Sequence, residues 1–303
     1  MKRAIVIGAT GAIGIALIKE LIEENIEILV ITRNDSERND NIPRHPLVTL
    51  EYCSLDGLNE LQNTTGKSYD VFYYFAWMGT TGEGRHDMYL QNMNIKFALD
   101  AVGVAKRLGC KKFVGAGSQA EYGRVEGVLK PETPVFPENG YGIAKLCAGL
   151  MTREYAHQLG MEHIWVRILS VYGPNDGSQS MVMSTINKLR NNEVPKFTKG
   201  EQMWDYLYSG DAAKAFRLIG EKGIDGKVYV LGSGEVRPLA EYIKEIQCIV
   251  NPESEIALGE IPYGEKQVMY LQADVSELEK DINWKAEIEF SDGIRKIVQS
   301  EEC

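Results

Sequence analysis

The first twenty-five residues constrain this chain more than any other stretch. An apolar run, Arg3 to Ile7, passes directly into Gly8-Ala9-Thr10-Gly11-Ala12-Ile13-Gly14, after which Ile13, Leu17, Ile18, Leu21 and Ile22 recur at helical spacing as far as Asn25. The pattern is strand, glycine turn, helix. The first glycine permits a tight turn, the second lets the backbone approach a pyrophosphate, and the third lets helix and strand pack closely. Free N–H groups and the positive end of the helix dipole favour an anion there. Gly8, Thr10, Gly11, Ala12, Ile13 and Gly14 are therefore the expected cradle of a dinucleotide. The spacing is G-x-x-G-x-x-G, which a chain with 30 glycines can produce by accident. Its place between the first strand and the first helix carries the reading against a merely structural turn.

The alternation continues. Glu27 to Thr32, Leu47 to Tyr52, Val71 to Ala76 and Lys112 to Ala116 read as strands, and Leu90 to Leu108 as a helix stopped by Gly109. Near-continuous apolar strands suit a sheet covered on both faces. The expected fold class is α/β: a Rossmann doubly wound parallel sheet with ligands at the carboxyl ends of its strands. After Pro174 the pattern loosens. Met181 to Leu189, Gly210 to Ile219, Pro238 to Ile249, Asp274 to Ile282 and Ser291 to Val298 read as helices, and Lys227 to Leu231 as a strand returning to the sheet. This predicts a dinucleotide-binding domain over residues 1–170, with returns from about 205–232, and a smaller C-terminal substrate-binding part from 171–204 and 233–303.

Net charge is −10, which argues against nucleic acid or an anionic membrane as the main partner. No apolar run is long enough to cross a bilayer. The five cysteines, Cys53, Cys110, Cys147, Cys248 and Cys303, are scattered and form no C-x-x-C, so a reducing cytoplasmic compartment is expected. The four histidines show no ligand spacing, and no metal site is predicted.

Chemistry is expected at three places. Tyr141 and Lys145 stand four apart at the start of a helical pattern that ends at Gly160, so they share a face, and an ammonium near the phenol would lower the tyrosine pKa toward working pH. Ser118 closes the fifth strand, where a second hydroxyl could meet a substrate, although serine there is also a common turn residue. At the end of the second strand, where many NAD-binding folds carry an acid for the ribose 2′-hydroxyl, the chain reads Thr32-Arg33-Asn34. Arg33 suits a 2′-phosphate and favours NADP over NAD. The other reading leaves Arg33 in solvent and gives the acid's task to Asp35.

Taken in order, the glycine turn, Ser118 four before Tyr122-Gly123, and Tyr141-x-x-x-Lys145 resemble the extended short-chain dehydrogenase/reductase family of nucleotide-sugar epimerases, dehydratases and reductases. The likeness covers nearly the whole chain. Arg167-Ile-Leu-Ser-Val-Tyr172-Gly173-Pro174 resembles the family's R-x-x-x-V-Y-G-P segment, and Asp205 to Asp211 its D-[FY]-x-[YH]-x-x-D segment. The resemblance implies that Tyr141 exchanges a proton with the substrate oxygen, that Ser118 hydrogen-bonds the same oxygen, and that Lys145 holds the nicotinamide ribose. It also implies cofactor contacts from Asp56 after the third strand, Ala76 at the end of the fourth, and Asn94 in the following helix. Tyr122 is expected to pack.

Departures from the family pattern narrow the reaction. Gln119 and Ala120 stand where 4,6-dehydratases carry an Asp-Glu pair, and neither can act as a general acid or base. Trp204 replaces the arginine that epimerases place before D-[FY]. The loop from Trp77 to Asp87, with Trp77 and Arg85, replaces a short H-x-A-A segment and most resembles the nucleotide 4-keto-6-deoxyhexulose reductases. The expectation is an NADP-dependent reductase of a nucleotide-linked 4-keto-6-deoxyhexulose, with Trp77, Arg85, Ser118, Tyr141 and Arg237 facing the substrate. The alternatives are an NAD-dependent epimerase and a non-catalytic protein that senses NADP. A homodimer through the Leu90–Leu108 and Tyr141–Leu159 helices is implied by the same resemblance.

Overall fold

The computed structural model describes residues 1–300 of the 303-residue chain; Cys303 lies outside the described residues. In chain order the strands are β1 (Arg3–Ile7), β2 (Glu27–Thr32), β3 (Val48–Tyr52), β4 (Val71–Tyr74), β5 (Lys112–Ser118), β6 (Glu162–Ile168), β7 (Ser170–Tyr172), β8 (Lys196–Phe197), β9 (Met203–Trp204), β10 (Tyr206–Tyr208), β11 (Val228–Leu231), β12 (Arg237–Pro238) and β13 (Ala257–Leu258). The helices are α1 (Ala12–Glu23), α2 (Met88–Arg107), α3 (Gly140–Gln158), α4 (Met181–Arg190), α5 (Ser209–Lys222), α6 (Leu239–Val250), α7 (Ser276–Ile282) and α8 (Phe290–Ser300).

Seven strands form one parallel sheet in the order β11-β6-β5-β4-β1-β2-β3. Strand order reverses between β1 and β4, so a crevice opens at their carboxyl ends, where such sheets bind ligands. Both faces are covered, as the uninterrupted apolar strands require. Ala4, Val6, Ile28, Val30 and Tyr73 face a core with Ile18, Leu21 and Phe216 from α1 and α5. Ile5, Ile7, Leu29, Phe72 and Tyr74 face a second core with Ala98, Val102 and Ala148 from α2 and α3.

The strand Glu162–Ile168 is absent from the sequence-based inventory. His163 and Arg167 interrupt its apolar pattern, yet both lie in the interior. Their polar groups are met by distant partners: His163 Nε2 lies 2.9 Å from Thr152 Oγ1, and Arg167 Nε donates to Glu121 Oε2 at 2.8 Å. Strand β5 also runs two residues past its expected end, because Gly115 and Gly117 leave room for the Trp165 ring. A Cβ at either position would come within 2.4 Å of the indole. Helix α2 begins two residues before Leu90 because Asp87 caps it, accepting from the Tyr89 and Leu90 N–H groups at 3.0 and 3.1 Å.

Tyr172 of β7 and residues after it build a separate aromatic cluster in which Phe290 lies 4.7 Å from Tyr172 and 4.6 Å from Tyr242, ring centre to ring centre. The two acids of the 205–211 segment act as staples. Asp205, fully buried, accepts from the N–H groups of Ser233 (2.7 Å), Gly234 (3.1 Å) and Ala273 (3.1 Å). Asp211 accepts from the N–H groups of Glu287 (3.0 Å) and Ile288 (2.8 Å). Among the described residues no helix is long and apolar enough to cross a membrane.

Candidate active site

A cleft of about 780 Å³ lies over the carboxyl ends of β1 to β4. Its floor is Gly8 to Gly11, and its walls are Thr32, Arg33, Asp35, Ser36 and Arg38 on one side, Cys53 to Asp56 at one end, and Phe75 to Thr80 at the other. The glycines divide their tasks as the local geometry demands. Gly8 has φ +77°, and a Cβ there would lie 2.4 Å from the Ala76 nitrogen, so this close crossing of β1 and β4 admits no side chain. A Cβ on Gly14 would lie 2.5 Å from the Ala9 carbonyl oxygen, which seats α1 on its own strand. Gly11 differs: a Cβ there would meet nothing within 4 Å. It caps α1 without any side-chain hydrogen bond, and no acid occupies the helix's first turn. Exposed N–H groups at an uncapped helix end, facing an open cradle, fit the pyrophosphate of a dinucleotide.

The adenosine end of such a ligand would meet Arg33, Asp35, Arg38 and Asp56, all exposed on the cleft wall. Arg38, outside the expected set, is steered by its bond to the Asn175 carbonyl at 2.9 Å. Ala76 lines the opposite wall. Asn94 is fully buried behind that wall; its side chain accepts from the Met78 N–H and donates to the Met78 carbonyl, both at 2.9 Å. It shapes the cleft through the Met78 backbone.

Ser118, Tyr141 and Lys145 come from β5 and α3, and small residues bring those elements together. A Cβ on Gly142 would lie 2.3 Å from the Ala120 carbonyl oxygen, and one on Gly149 would lie 2.8 Å from the Trp165 ring. The first turn of α3 therefore settles against the turn after β5, and Asn139 caps it by accepting from the Gly142 N–H at 2.9 Å. This docking brings Tyr141 beside the end of β5, where the Ser118 side chain favours its phenolate form. Burial pushes the Tyr141 phenol up from its ordinary value, while the Ser118 side chain and then the Arg85 charge pull it back.

Lys145 lies in the interior between the end of β5 and the Trp77 ring. Its ammonium, in a side chain 3% exposed, donates to the Ala116 carbonyl at 2.6 Å and lies 3.9 Å above the Trp77 ring centre. It is 5.9 Å from the Tyr141 ring centre. Burial drives it down to about 7, against the pull of the Glu121 carboxylate. The group nearest the phenol face is instead Arg85, whose Cζ lies 4.3 Å from the Tyr141 ring centre. Trp77 meets the same ring edge-on at 6.2 Å.

Two buried residues outside the expected set hold this arrangement. Glu121, fully enclosed, accepts from the Ser118 N–H (2.8 Å), the Trp165 indole N–H (2.9 Å) and Arg167 (2.8 Å). Gln91 accepts from the Trp77 indole N–H (2.9 Å) and donates to the carbonyls of Gly79 (2.9 Å) and Gly84 (2.8 Å), tying down the loop that carries Trp77 and Arg85. A polar residue in an apolar helical stripe was the available signal for Gln91. The local signal for Glu121 was the Ser118-x-x-Glu121 spacing of a capping box, which forms here; its other partners, Trp165 and Arg167, are 44 and 46 residues away.

The profile of the NAD dependent epimerase/dehydratase family matches residues 4–232, three-quarters of the chain and all of the cleft and phenol cluster. The chain belongs to that family. Its relatives include a putative UDP-glucose 4-epimerase of Methanocaldococcus jannaschii, 25% identical over 97% of this chain and 96% of the relative. A dTDP-4-dehydro-6-deoxyglucose reductase of Escherichia coli is 25% identical over 99% of this chain and 97% of the relative. The fold matches the crystal structure of UDP-glucose 4-epimerase with UDP-glucose from Thermotoga maritima, with TM-score 0.87 and 21% identity over 99% and 98% of the two chains.

In this epimerase/dehydratase-family enzyme, Arg237 stands apart from the cleft. It sits on β12, which pairs with β9; its guanidinium bonds Glu245 at 2.9 Å and covers the Tyr242 ring at 4.2 Å. With Tyr206, Ser233 and Phe290 it lines a smaller cavity of about 60 Å³ that shares no residue with the cleft. Tyr122 packs as expected, buried, with its hydroxyl donating to the Lys130 carbonyl at 2.8 Å.

Proposed function

We propose that this enzyme is an NADP-dependent oxidoreductase that reduces the 4-keto group of a nucleotide-linked 6-deoxyhexulose. The observation that carries the reading is the cleft's adenosine end. Arg33 and Arg38 both line it, and among the described residues neither forms an ion pair. Two guanidinium groups on one cleft wall suit a 2′-phosphate, and a phosphorylated dinucleotide suits a cofactor that exchanges at each turnover. The relation to the Escherichia coli reductase supports the same reading.

Bound NADPH would supply hydride to the C4 carbon. Tyr141 would give its proton to the oxygen that gains charge, and Ser118 would donate a hydrogen bond to the same atom, a stabilisation worth ~3 kcal/mol per donor. Lys145 would hold the nicotinamide ribose and return a proton to Tyr141 through that ribose and solvent. Trp77, Arg85 and Arg237 are the proposed substrate contacts, and Asp56, Ala76 and Asn94 the further cofactor-side residues. Gln119 and Ala120 supply no acid or base for elimination of water.

A second reading is supported by Asp35, which lines the cleft beside Arg33 and could accept from the unphosphorylated ribose of NAD. It makes the enzyme an epimerase with tightly held NAD. Incubation with nucleotide-linked 4-keto-6-deoxyhexoses and either NADPH or NADH separates the two. The reductase consumes NADPH stoichiometrically with product. An enzyme that purifies with NAD and turns over without added cofactor refutes it. Tyr141→Phe should keep NADPH binding and abolish turnover; near-normal turnover refutes the proton-donor role.

We further propose a homodimer through α2 and α3, whose outer faces expose Met93, Leu150 and Met151.

A further inference from the structure

We propose that Arg85 is a second cation, beside Lys145, that poises the Tyr141 phenol for ionisation, acting as a positioning residue through its placement on the ring face. The inference rests on the proposed catalytic role of Tyr141. A guanidinium over an aromatic face is attracted to the ring, and the attraction grows when the phenol loses its proton, because the ring then carries negative charge. Arg85 lies 4.3 Å from the ring centre and Lys145 5.9 Å. Arg85 is half-buried, and among the described residues no carboxylate pairs with it; its side chain donates to the Thr80 carbonyl at 3.2 Å. Its charge is therefore not spent elsewhere.

The placement is built. Gln91 clamps the Gly84 carbonyl at 2.8 Å, immediately before Arg85. The Arg85 carbonyl rests against Gly140, where a Cβ would lie 3.2 Å away, so the loop docks on the first turn of the helix that carries Tyr141. A side chain at 140 would crowd that approach.

The groups facing Tyr141 come from four directions. Arg85 comes from the loop, and the Trp77 ring edge from the end of β4. Ser118 and Glu121 come from the end of β5, and Lys145 from α3 itself. Glu121 disfavours the phenolate, although Arg167 and two N–H donors hold its carboxylate. Lys145 directs its ammonium at Ala116 and the Trp77 face, and burial drives it down to about 7, so near neutral pH it is charged only part of the time. A guanidinium stays charged throughout. The loop thus adds a permanently charged group on the ring face to the Lys145 ammonium of the same helix.

The test reads Tyr141 ionisation directly and needs no substrate. Phenolate absorbance is followed against pH as the difference between the wild-type protein and Tyr141→Phe, and then in Arg85→Gln and Arg85→Lys backgrounds. An opposite charge at this distance lowers a pKa by ~1–3 units, so Arg85→Gln should raise the midpoint by at least ~1 unit and Arg85→Lys should restore most of the loss. Equal midpoints in wild type and Arg85→Gln overturn the proposal. So does a wild-type phenol that shows no ionisation below about pH 11, a unit above the free side chain. Circular dichroism of each variant establishes that it is folded. Because the readout is independent of turnover, a shifted midpoint in a protein that reduces no keto sugar refutes the reductase reading alone.

Discussion

Lys145→Met offers a test of the buried ammonium that does not depend on catalysis. Burial lowers the group from 10.5 to about 7. A difference of ~3.5 units corresponds to about 5 kcal/mol between the charged and neutral forms. The sign follows from proton binding. Below pH about 7 both folded and unfolded chains carry the charge, and the folded state bears the full cost of burying it. Between about 7 and 10.5 the unfolded chain holds more protons than the folded one, so stability rises with pH by about 1.4 kcal/mol per unit. Methionine keeps the stem packing but strands the Ala116 carbonyl, which now accepts from Lys145 at 2.6 Å; an unmet buried acceptor costs about 1–3 kcal/mol. The variant should therefore be about 2–4 kcal/mol more stable than wild type near pH 6 and about 1–3 kcal/mol less stable near pH 10.5, with the curves crossing between. Urea unfolding of the cofactor-free proteins, followed by circular dichroism at matched ionic strength, measures the difference. Parallel curves, with no pH-dependent gap, would mean that Lys145 titrates normally and that the electrostatic account of the site is wrong.

Two further expectations concern the cradle and the outer helices. Gly8→Ala forces a Cβ to 2.4 Å from the Ala76 backbone at φ +77° and should destabilise by several kcal/mol; Gly11→Ala meets open space and should leave the melting temperature nearly unchanged while weakening NADPH at least ~10-fold by filling the anion cradle. Equal effects of the two substitutions on melting would refute that division of labour. Replacing both Leu150 and Met151 with Asp, at side chains 49% and 44% exposed, should convert a dimer to monomer in sedimentation with folding retained. An unchanged sedimentation coefficient would remove α3 from the interface.

The first βαβ unit was legible because its signals are local. Glycines at positions 8, 11 and 14, an apolar run before them and a helical stripe after them need no distant partner to be read. Tyr141 and Lys145 were legible for the same reason, being one helical turn apart. Strand β6 was not, because its His163 and Arg167 look like surface residues until Thr152 and Glu121 are seen to satisfy them. Arg38 and Gln91 were also missed. Their positions acquire meaning only from where Asn175 and the 77–85 loop lie in space.

Local pattern alone thus determined the alternating α/β order as far as β5, the glycine cradle and the presence of a tyrosine–lysine pair, since periodicity and turn chemistry act over a few residues. Which charge reaches the phenol was decided by tertiary structure. Glycines at 140 and 142 let the loop and the β5 turn crowd the start of α3, and burial turned Lys145 toward Ala116. Coulomb forces depend on distance and solvent exclusion, and both are properties of the packed chain that residue spacing does not encode.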